Sequence, residues 1–286
     1  MTRLTDLEPT RLTGTLYVVA TPIGNLADAS ARSLEVLKSV DLVACEDTRT
    51  TRTLLSHYGI ATRTVALHEH NERAESDKVI RHLCEGKDVA LVSDAGTPAL
   101  SDPGAWLVGE AHKAGVRVIP VPGPSAAAAA FSAAGFPSAR FLFAGFLPAQ
   151  GAARRKALES LDVPWPVVLY EAPHRIDETL QDLAGRFGAE REIVIARELT
   201  KKFEEVARLP LGRAREWLVE RRERAQGEFV LVLAAGAESR QDGVDAERVL
   251  DVLLESLAPS EAAKLAAKIT GRPKNALYRK ALERGK

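Results

Sequence analysis

The feature that most constrains this chain is a rhythm of short apolar runs alternating with segments of helical periodicity. Thr15–Ala20 (TLYVVA), Asp41–Cys45 (DLVAC), Arg63–Leu67 (RTVAL), Val89–Val92 (VALV) and Val116–Val121 (VRVIPV) are too short for helices. Most are rich in β-branched residues, which suit a pleated surface. Between them, Ser30–Val40 carries apolar residues at 34, 36, 37 and 40, a helical stripe. Thr48–Tyr58 ends at Gly59, Ser76–Glu85 at Gly86 and Pro103–Ala114 at Gly115, each glycine marking a helix stop. A strand that is apolar at successive positions buries both faces. With helices between, the pattern predicts an α/β fold built on a mainly parallel sheet.

The alanine-rich segment Pro124–Ala134 predicts a helix and Arg140–Ala144 a strand, and both are assigned to this first domain. Phe146–Ala153 has Pro, Gly and small residues without a period and predicts a linker. The second half then reads as helix Arg154–Leu161, strand Pro166–Tyr170, helix Arg175–Phe187, strand Ile193–Ala196, helix Arg213–Arg224 and strand Glu228–Ala234. A polar linker, Gly236–Gly243, precedes helical patterns at Val244–Leu257 and Ser260–Ile269. A break at Thr270–Pro273 leads to a last helix through Leu282, a helix–turn–helix arrangement. The expected organisation is an extension at 1–14, an α/β domain at 15–146, a second at 147–236 and a basic helical module at 237–286.

Charge is balanced overall, with 39 Lys+Arg against 39 Asp+Glu, so net charge selects no partner. Locally it is not balanced. From Ser260 onward eight basic residues face Glu261 and Glu283, a basic module on an acidic body. Cys45 and Cys84 show no metal or redox spacing, and no segment resembles a signal core or a membrane span. A reduced, cytoplasmic protein without a membrane partner is expected.

Ligands of open α/β sheets bind at the carboxyl ends of strands. Four loops of the first half stand there: Thr21–Leu26 (TPIGNL), Cys45–Arg49 (CEDTR), Ser93–Asp102 (SDAGTPALSD) and Pro120–Ala126 (PVPGPSA). The first has one glycine, so no GxGxxG dinucleotide fingerprint is present. Glu46 and Asp47 suit either a helix cap or an active role. Asp94 can accept hydrogen bonds from ribose hydroxyls or amides, and Asp102 is expected to cap the helix that follows. Ser125 opens a helix, where amides suit a carboxylate or phosphate. In the second half, Tyr170–Arg175 (YEAPHR) and Ala196–Lys202 (ARELTKK) bring Glu171, His174, Arg175, Arg197, Lys201 and Lys202 to the same predicted edge. There they serve as phosphate holders or as a solvated rim. His68 and His70 share a strand face, yet no third ligand adjoins them, so no metal is expected. GxxxxGK[ST], HExxH and a Ser/His/Asp signature are absent.

Taken together, YVVATPIGNLADAS, ACEDTRTTRTLLSHYGI, LVSDAGTPALSDPG, VPGPSAAAAA, LYEAPHRI and ARELTKKFEE resemble the ribosomal RNA small subunit methyltransferase I family. The likeness runs from about Thr15 to the C-terminal helices. It implies the two-lobed tetrapyrrole methylase fold and S-adenosylmethionine-dependent 2′-O-methylation of a cytidine ribose in the decoding region of 16S rRNA. On this resemblance Pro22, Asp94, Thr97, Ser125, Ala126, Tyr170, Glu171, Ala172 and Ala196 are expected around the cofactor. The proton acceptor is sought among Glu46, Asp47, Glu171, Lys201 and Lys202, with the choice open. Arg49, His174, Arg175, Arg197, Lys201 and Lys202, with Lys264, Lys268, Arg272, Lys274, Arg279 and Lys280 of the tail, are the expected RNA contacts. The partners implied are the small ribosomal subunit and a second copy of the chain.

Overall fold

The computed structural model describes residues 13–236, 246–270 and 272–284. Nearly all of the expected extension at 1–14 and most of the polar linker lie outside the described residues. Five strands, β1 (Thr15–Val19), β2 (Leu42–Cys45), β3 (Thr64–Ala66), β4 (Val89–Val92) and β5 (Arg117–Val121), form the first sheet. Its order is β3-β2-β4-β1-β5, and every pair is parallel. The helices between them are α1 (Ala31–Ser39), α2 (Thr48–His57), α3 (Glu72–Cys84) and α4 (Ala105–Lys113). The pleat sorts the apolar runs onto two faces. Leu42, Ala44, Val89 and Leu91 join Val79, Leu83 and Leu107 from α3 and α4. Val43, Cys45, Ala90 and Val92 join Leu37 and Leu55 from α1 and α2. This double burial is why the central strands β2 and β4 carry no polar face.

The second sheet has the order β6-β7-β10-β8-β9. Its strands are β6 (Leu142–Phe146), β7 (Val167–Glu171), β8 (Glu192–Arg197), β9 (Glu205–Pro210) and β10 (Phe229–Leu233), with α5 (Ala126–Ala134), α6 (Gly151–Leu158), α7 (Ile176–Phe187) and α8 (Leu211–Glu220). Only β6 and β7 pair in parallel; β10 runs antiparallel to β7 and β8, and β9 antiparallel to β8. Here the structure differs from the domain limits expected from the sequence. Ala127, Ala130 and Ala134 of α5 pack on Val168, Val194, Val230 and Val232, and β6 pairs with β7. Both elements therefore belong to the second sheet, and the chain crosses between sheets at Pro122–Ser125, not at residue 146. Both sheets lie in one compact unit, 13–161 with Trp165–Ala234.

The strand β9 escapes the apolar pattern because it is an edge. Its residues alternate between half-buried and exposed, and charges occupy the sequence. Arg208 pairs with Glu192 at 2.7 Å, while Glu205 holds Arg224 at 2.7 Å. Charged edges of this kind also discourage pairing with other chains.

The separate C-terminal unit contains α9 (Ala246–Leu254), α10 (Pro259–Thr270) and α11 (Lys274–Arg284). They close around Leu250, Ala262, Ala263, Ala266, Leu277 and Ala281, where small alanines allow close helix approach. Lys264, Lys268, Arg272, Lys274 and Arg279 are exposed, whereas Lys280 is ion-paired with Glu247.

Asp102 is not the cap of α4. The N-cap is Gly104, and Glu72 of α3 reaches across to accept from the Gly104 amide at 2.7 Å and the Trp106 amide at 3.3 Å. Satisfying two helix-start amides from a distant side chain is worth roughly 1 kcal/mol, by analogy with N-cap series. Glu72→Ala should therefore lower unfolding stability by about that amount in urea titration, while Glu72→Gln, which keeps an acceptor oxygen, should lose much less.

Candidate active site

The carboxyl ends of β4, β5, β6, β7 and β8 and the amino end of β10 meet at one cavity of about 370 Å³, a size suited to a small organic ligand. The first sheet contributes Ile23, Asp94, Thr97, Leu100 and Asp102, and the start of α5 contributes Ser125 and Ala126. The second sheet and its loops contribute Phe146, Tyr170, Glu171, Ala172, Ala196, Leu199 and Phe229. The structure thus gathers Asp94, Thr97, Ser125, Ala126, Tyr170, Glu171, Ala172 and Ala196 around one space. Pro22 lies beside them, in a neighbouring cavity that also touches Asp94.

Backbone and side-chain bonds hold these loops in register. Thr21 and Gly96 exchange both amide bonds, at 2.8 and 3.0 Å, as an isolated antiparallel bridge. Gly96 has φ 83°, which glycine adopts without a Cβ penalty. The Thr21 hydroxyl donates to Ser93 O at 3.1 Å, and that of Thr97 to Pro124 O at 3.3 Å. Ser125 caps α5 by accepting from the Ala128 amide, and the Ala127 amide faces the Tyr170 hydroxyl. Among the described residues four non-glycine positions have left-handed φ, and all lie in the two flanking loops: Ala99 (66°) and Ser101 (66°) in one, Glu198 (51°) and Thr200 (64°) in the other. Each such residue stores on the order of 1–3 kcal/mol of backbone strain, a habit of ligand-binding loops.

Carboxyl groups crowd this edge. Asp94 accepts from the Asp47 amide at 3.0 Å. Burial, then the charges of Asp102, Asp94 and Asp47, push Glu46 above the usual carboxylate range. Burial and the Asp94 charge push Asp102 up likewise, against a hydrogen bond from Ser93. Asp47 goes the other way, down to about 2, because its side chain accepts from the exposed Arg49 guanidinium and the Arg49 amide.

Several residues expected at a solvent-facing rim are committed inside the protein. Arg175 donates to Leu147 O at 2.6 Å and lies 3.2 Å from the buried Glu171 carboxylate, which also accepts from Thr179 at 2.6 Å and from the Ala172 amide at 2.8 Å. Arg197 is 6% exposed and donates to Gln226 O and Phe203 O, pinning the 198–204 loop. Neither guanidinium is presented for a phosphate. Lys201 bridges Glu198 and Glu228 at 2.9 Å each. Burial alone would lower its pKa, but hydrogen bonds to Glu228 and Glu198 outweigh that and raise it, so it stays an ammonium. His174 and Lys202 are exposed, the Lys202 ammonium lying over the Phe203 ring.

Two family matches divide the chain as the structure does. Tetrapyrrole (Corrin/Porphyrin) Methylases match 15–215, and the RsmI C-terminal HTH domain matches 240–285. Over 276 residues the chain is 52% identical to ribosomal RNA small subunit methyltransferase I of Pseudomonas aeruginosa, covering 95% of this chain and 98% of that protein. The protein of that name from Escherichia coli O157:H7 is 48% identical, with 94% and 95% covered. The chain belongs to the ribosomal RNA small subunit methyltransferase I family. Among solved structures, diphthine synthase superposes with TM-score 0.60 at 19% identity, over 78% of this chain and 90% of that one. Uroporphyrin-III C-methyltransferase from Thermus thermophilus complexed with S-adenosyl homocysteine superposes with TM-score 0.54 at 17% identity, over 79% and 99%. At those identities the likeness establishes the fold.

The cavity residues that sequence patterns miss come mainly from β10 and from Phe146. An antiparallel strand presents its beginning, not its end, at the shared edge, so a search of carboxyl ends passes over Glu228 and Phe229. Phe146, expected at the start of a linker, ends β6 instead.

The raised carboxyl of Asp102 has a thermodynamic consequence. A folded-state pKa above the unfolded value means stability present at acid pH is lost as pH rises through the folded value. Asp102→Asn should therefore raise the melting temperature at pH 7. That gain should shrink as pH falls through the carboxylate range, when wild type is protonated too; thermal melts at about pH 7 and, within the ordinary carboxylate range, at about pH 3.5 give the comparison.

Proposed function

We propose that this family member transfers the methyl group of S-adenosylmethionine to the ribose 2′-oxygen of a cytidine in the decoding region of 16S rRNA, acting on the small ribosomal subunit. The observation that carries this reading is a cavity of about 370 Å³ to which loops of both sheets contribute, lined by the segments that resemble the family's motifs. A homodimer working in the cytoplasm belongs to the same proposal. Among the described residues no helix is long and apolar enough to cross a membrane.

The residues present fit the cofactor. The start of α5 offers amides to a carboxylate. Asp94 offers a carboxylate to ribose hydroxyls, and Ile23, Leu100, Phe146 and Phe229 supply apolar wall for an adenine-sized group. When bound, S-adenosylmethionine supplies a methyl group activated by its sulfonium. The chain's own work is then to orient the acceptor, exclude water and take up a proton.

The five candidates for proton uptake are not equivalent in the folded protein. Lys201 is held charged, Asp47 is tied to Arg49, and Glu171 is saturated by three donors. Lys202 is exposed beyond the cavity lining. Glu46 is raised in basicity by burial and by its acidic neighbours but, like Lys202, is not part of the cavity lining. Asp102, shifted in the same direction and on the cavity wall itself, is the candidate that the geometry favours. Arg49, His174 and Lys202 remain exposed for RNA phosphates. The exposed Lys264, Lys268, Arg272, Lys274 and Arg279 of the C-terminal unit supply the larger share of sequence-independent attraction.

Small subunits from a strain lacking the gene, given wild-type protein and S-adenosylmethionine with a labelled methyl group, test the proposal. Label should appear in 16S rRNA at one cytidine with an alkali-resistant 3′ linkage; label on a base, or on no RNA, would contradict it. In the same assay, truncation before Ser260 should weaken subunit binding. The slope of log affinity against log salt should fall by ~0.7–0.9 for each phosphate that the shortened chain leaves unneutralised. Calorimetric affinity for S-adenosylmethionine should stay at the wild-type value.

A further inference from the structure

Beside the first cavity lies a second of about 420 Å³. Its walls are the Pro22–Leu26 loop, the Thr50, Thr51, Thr53 and Leu54 side of α2, and Lys201. The two cavities share Ile23, Asp94, Ala95 and Glu228. We propose that the second cavity receives the nucleoside portion of the acceptor, its ribose against the threonine side of α2 and its 2′-oxygen towards the wall shared with the first.

This inference rests on the methyltransferase reading above. An in-line displacement brings the acceptor oxygen to the methyl group from the side away from the departing sulfur. The acceptor must therefore occupy space that adjoins the first cavity without being part of it. The chemistry of the two spaces differs accordingly. Ile23, Leu100, Phe146 and Phe229 give the first its apolar surface, whereas Thr50, Thr53 and Asn25 bring hydroxyls and an amide to the second. Thr50 and Thr53 are three residues apart on an exposed helix face, so their hydroxyls lie one turn apart. The Thr53 hydroxyl donates to Arg49 O at 3.1 Å, which leaves its oxygen as an acceptor for a sugar hydroxyl. Asn25 uses its carbonyl oxygen on the Ala27 amide and keeps its NH₂ free to donate.

Charge selects which part of a nucleotide fits. Asp94 and Glu228 outnumber Lys201 on this wall, and Lys201 is already shared between Glu198 and Glu228. A phosphate is repelled there, while sugar hydroxyls and base edges find both donors and acceptors. The cavity is also closed from both sheets. A Cβ on Gly24 would stand 2.4 Å from Lys201 Cγ and 3.0 Å from Leu199 O, so the loop of the first sheet touches that of the second only because residue 24 has no side chain.

Two variants at exposed α2 positions test the inference, with wild type measured alongside on small subunits carrying the unmethylated site. Thr53→Trp fills the cavity, and the pair Thr50→Val with Thr53→Val removes two hydroxyls without changing volume. Calorimetric affinity for S-adenosylmethionine should stay within about twofold of wild type, which also reports an intact fold. Methyl transfer should fall at least ~100-fold in Thr53→Trp, and kcat/KM about tenfold in the valine pair, the scale of one or two missing hydrogen bonds. Transfer at wild-type rates in both variants overturns the inference. So does a loss of cofactor affinity in step with transfer, which would make the second cavity part of the cofactor site. Absence of transfer by wild type itself would instead overturn the methyltransferase reading, and the acceptor assignment with it.

Discussion

Parallel pairing in the first sheet is the constraint from which the rest follows. Because β1 to β5 all run one way, the loops after them emerge at a single edge, and chemistry can collect only there. The second sheet must then present a matching edge. It does so with the ends of β7 and β8 and the beginning of β10, an arrangement that the antiparallel central strand makes possible. The short crossover Pro122–Ser125 joins the two and is fastened by the Thr97 hydroxyl on Pro124 O.

The edge is built against local stability. Four residues outside glycine sit at positive φ in the flanking loops, and the carboxyls of Glu46 and Asp102 are shielded from solvent near Asp94 and shifted towards the neutral form. Such a cluster persists because apolar packing on both faces of the first sheet and on the α5 face of the second over-determines the backbone around it. The internal arginines serve the same end. Arg175 and Arg197 commit their donors to carbonyls of the loops beside the cavity, fixing walls that carry no regular hydrogen bonding of their own.

Much of this is legible in the sequence, for a definite reason. Buried strands such as VALV and LVAC advertise both faces at once, and the glycine stops mark their helices. The strand-end rule then leads to Asp94, Thr97, Ser125 and Tyr170, which the structure places around one cavity. What is not legible depends on partners distant in sequence. The pattern of α5 and β6 gives their type but not the sheet they join. The alternation in β9 is masked by edge charges that find Glu192 and Arg224 elsewhere. The cap of α4 comes from Glu72, 32 residues before Gly104, and leaves Asp102 for the cavity. Arg175 and Arg197 read as a charged rim because sequence shows a charge but not the carbonyl that accepts from it.

Amide hydrogen exchange with and without S-adenosylhomocysteine tests most directly whether one small ligand is held by both sheets at once. Such a ligand gives simultaneous protection at 94–97 and 125–128 beside the first sheet and at 171–172, 196–199 and 228–230 in the second, with α9 to α11 unchanged. Protection confined to one sheet, or strongest in the C-terminal helices, would contradict it.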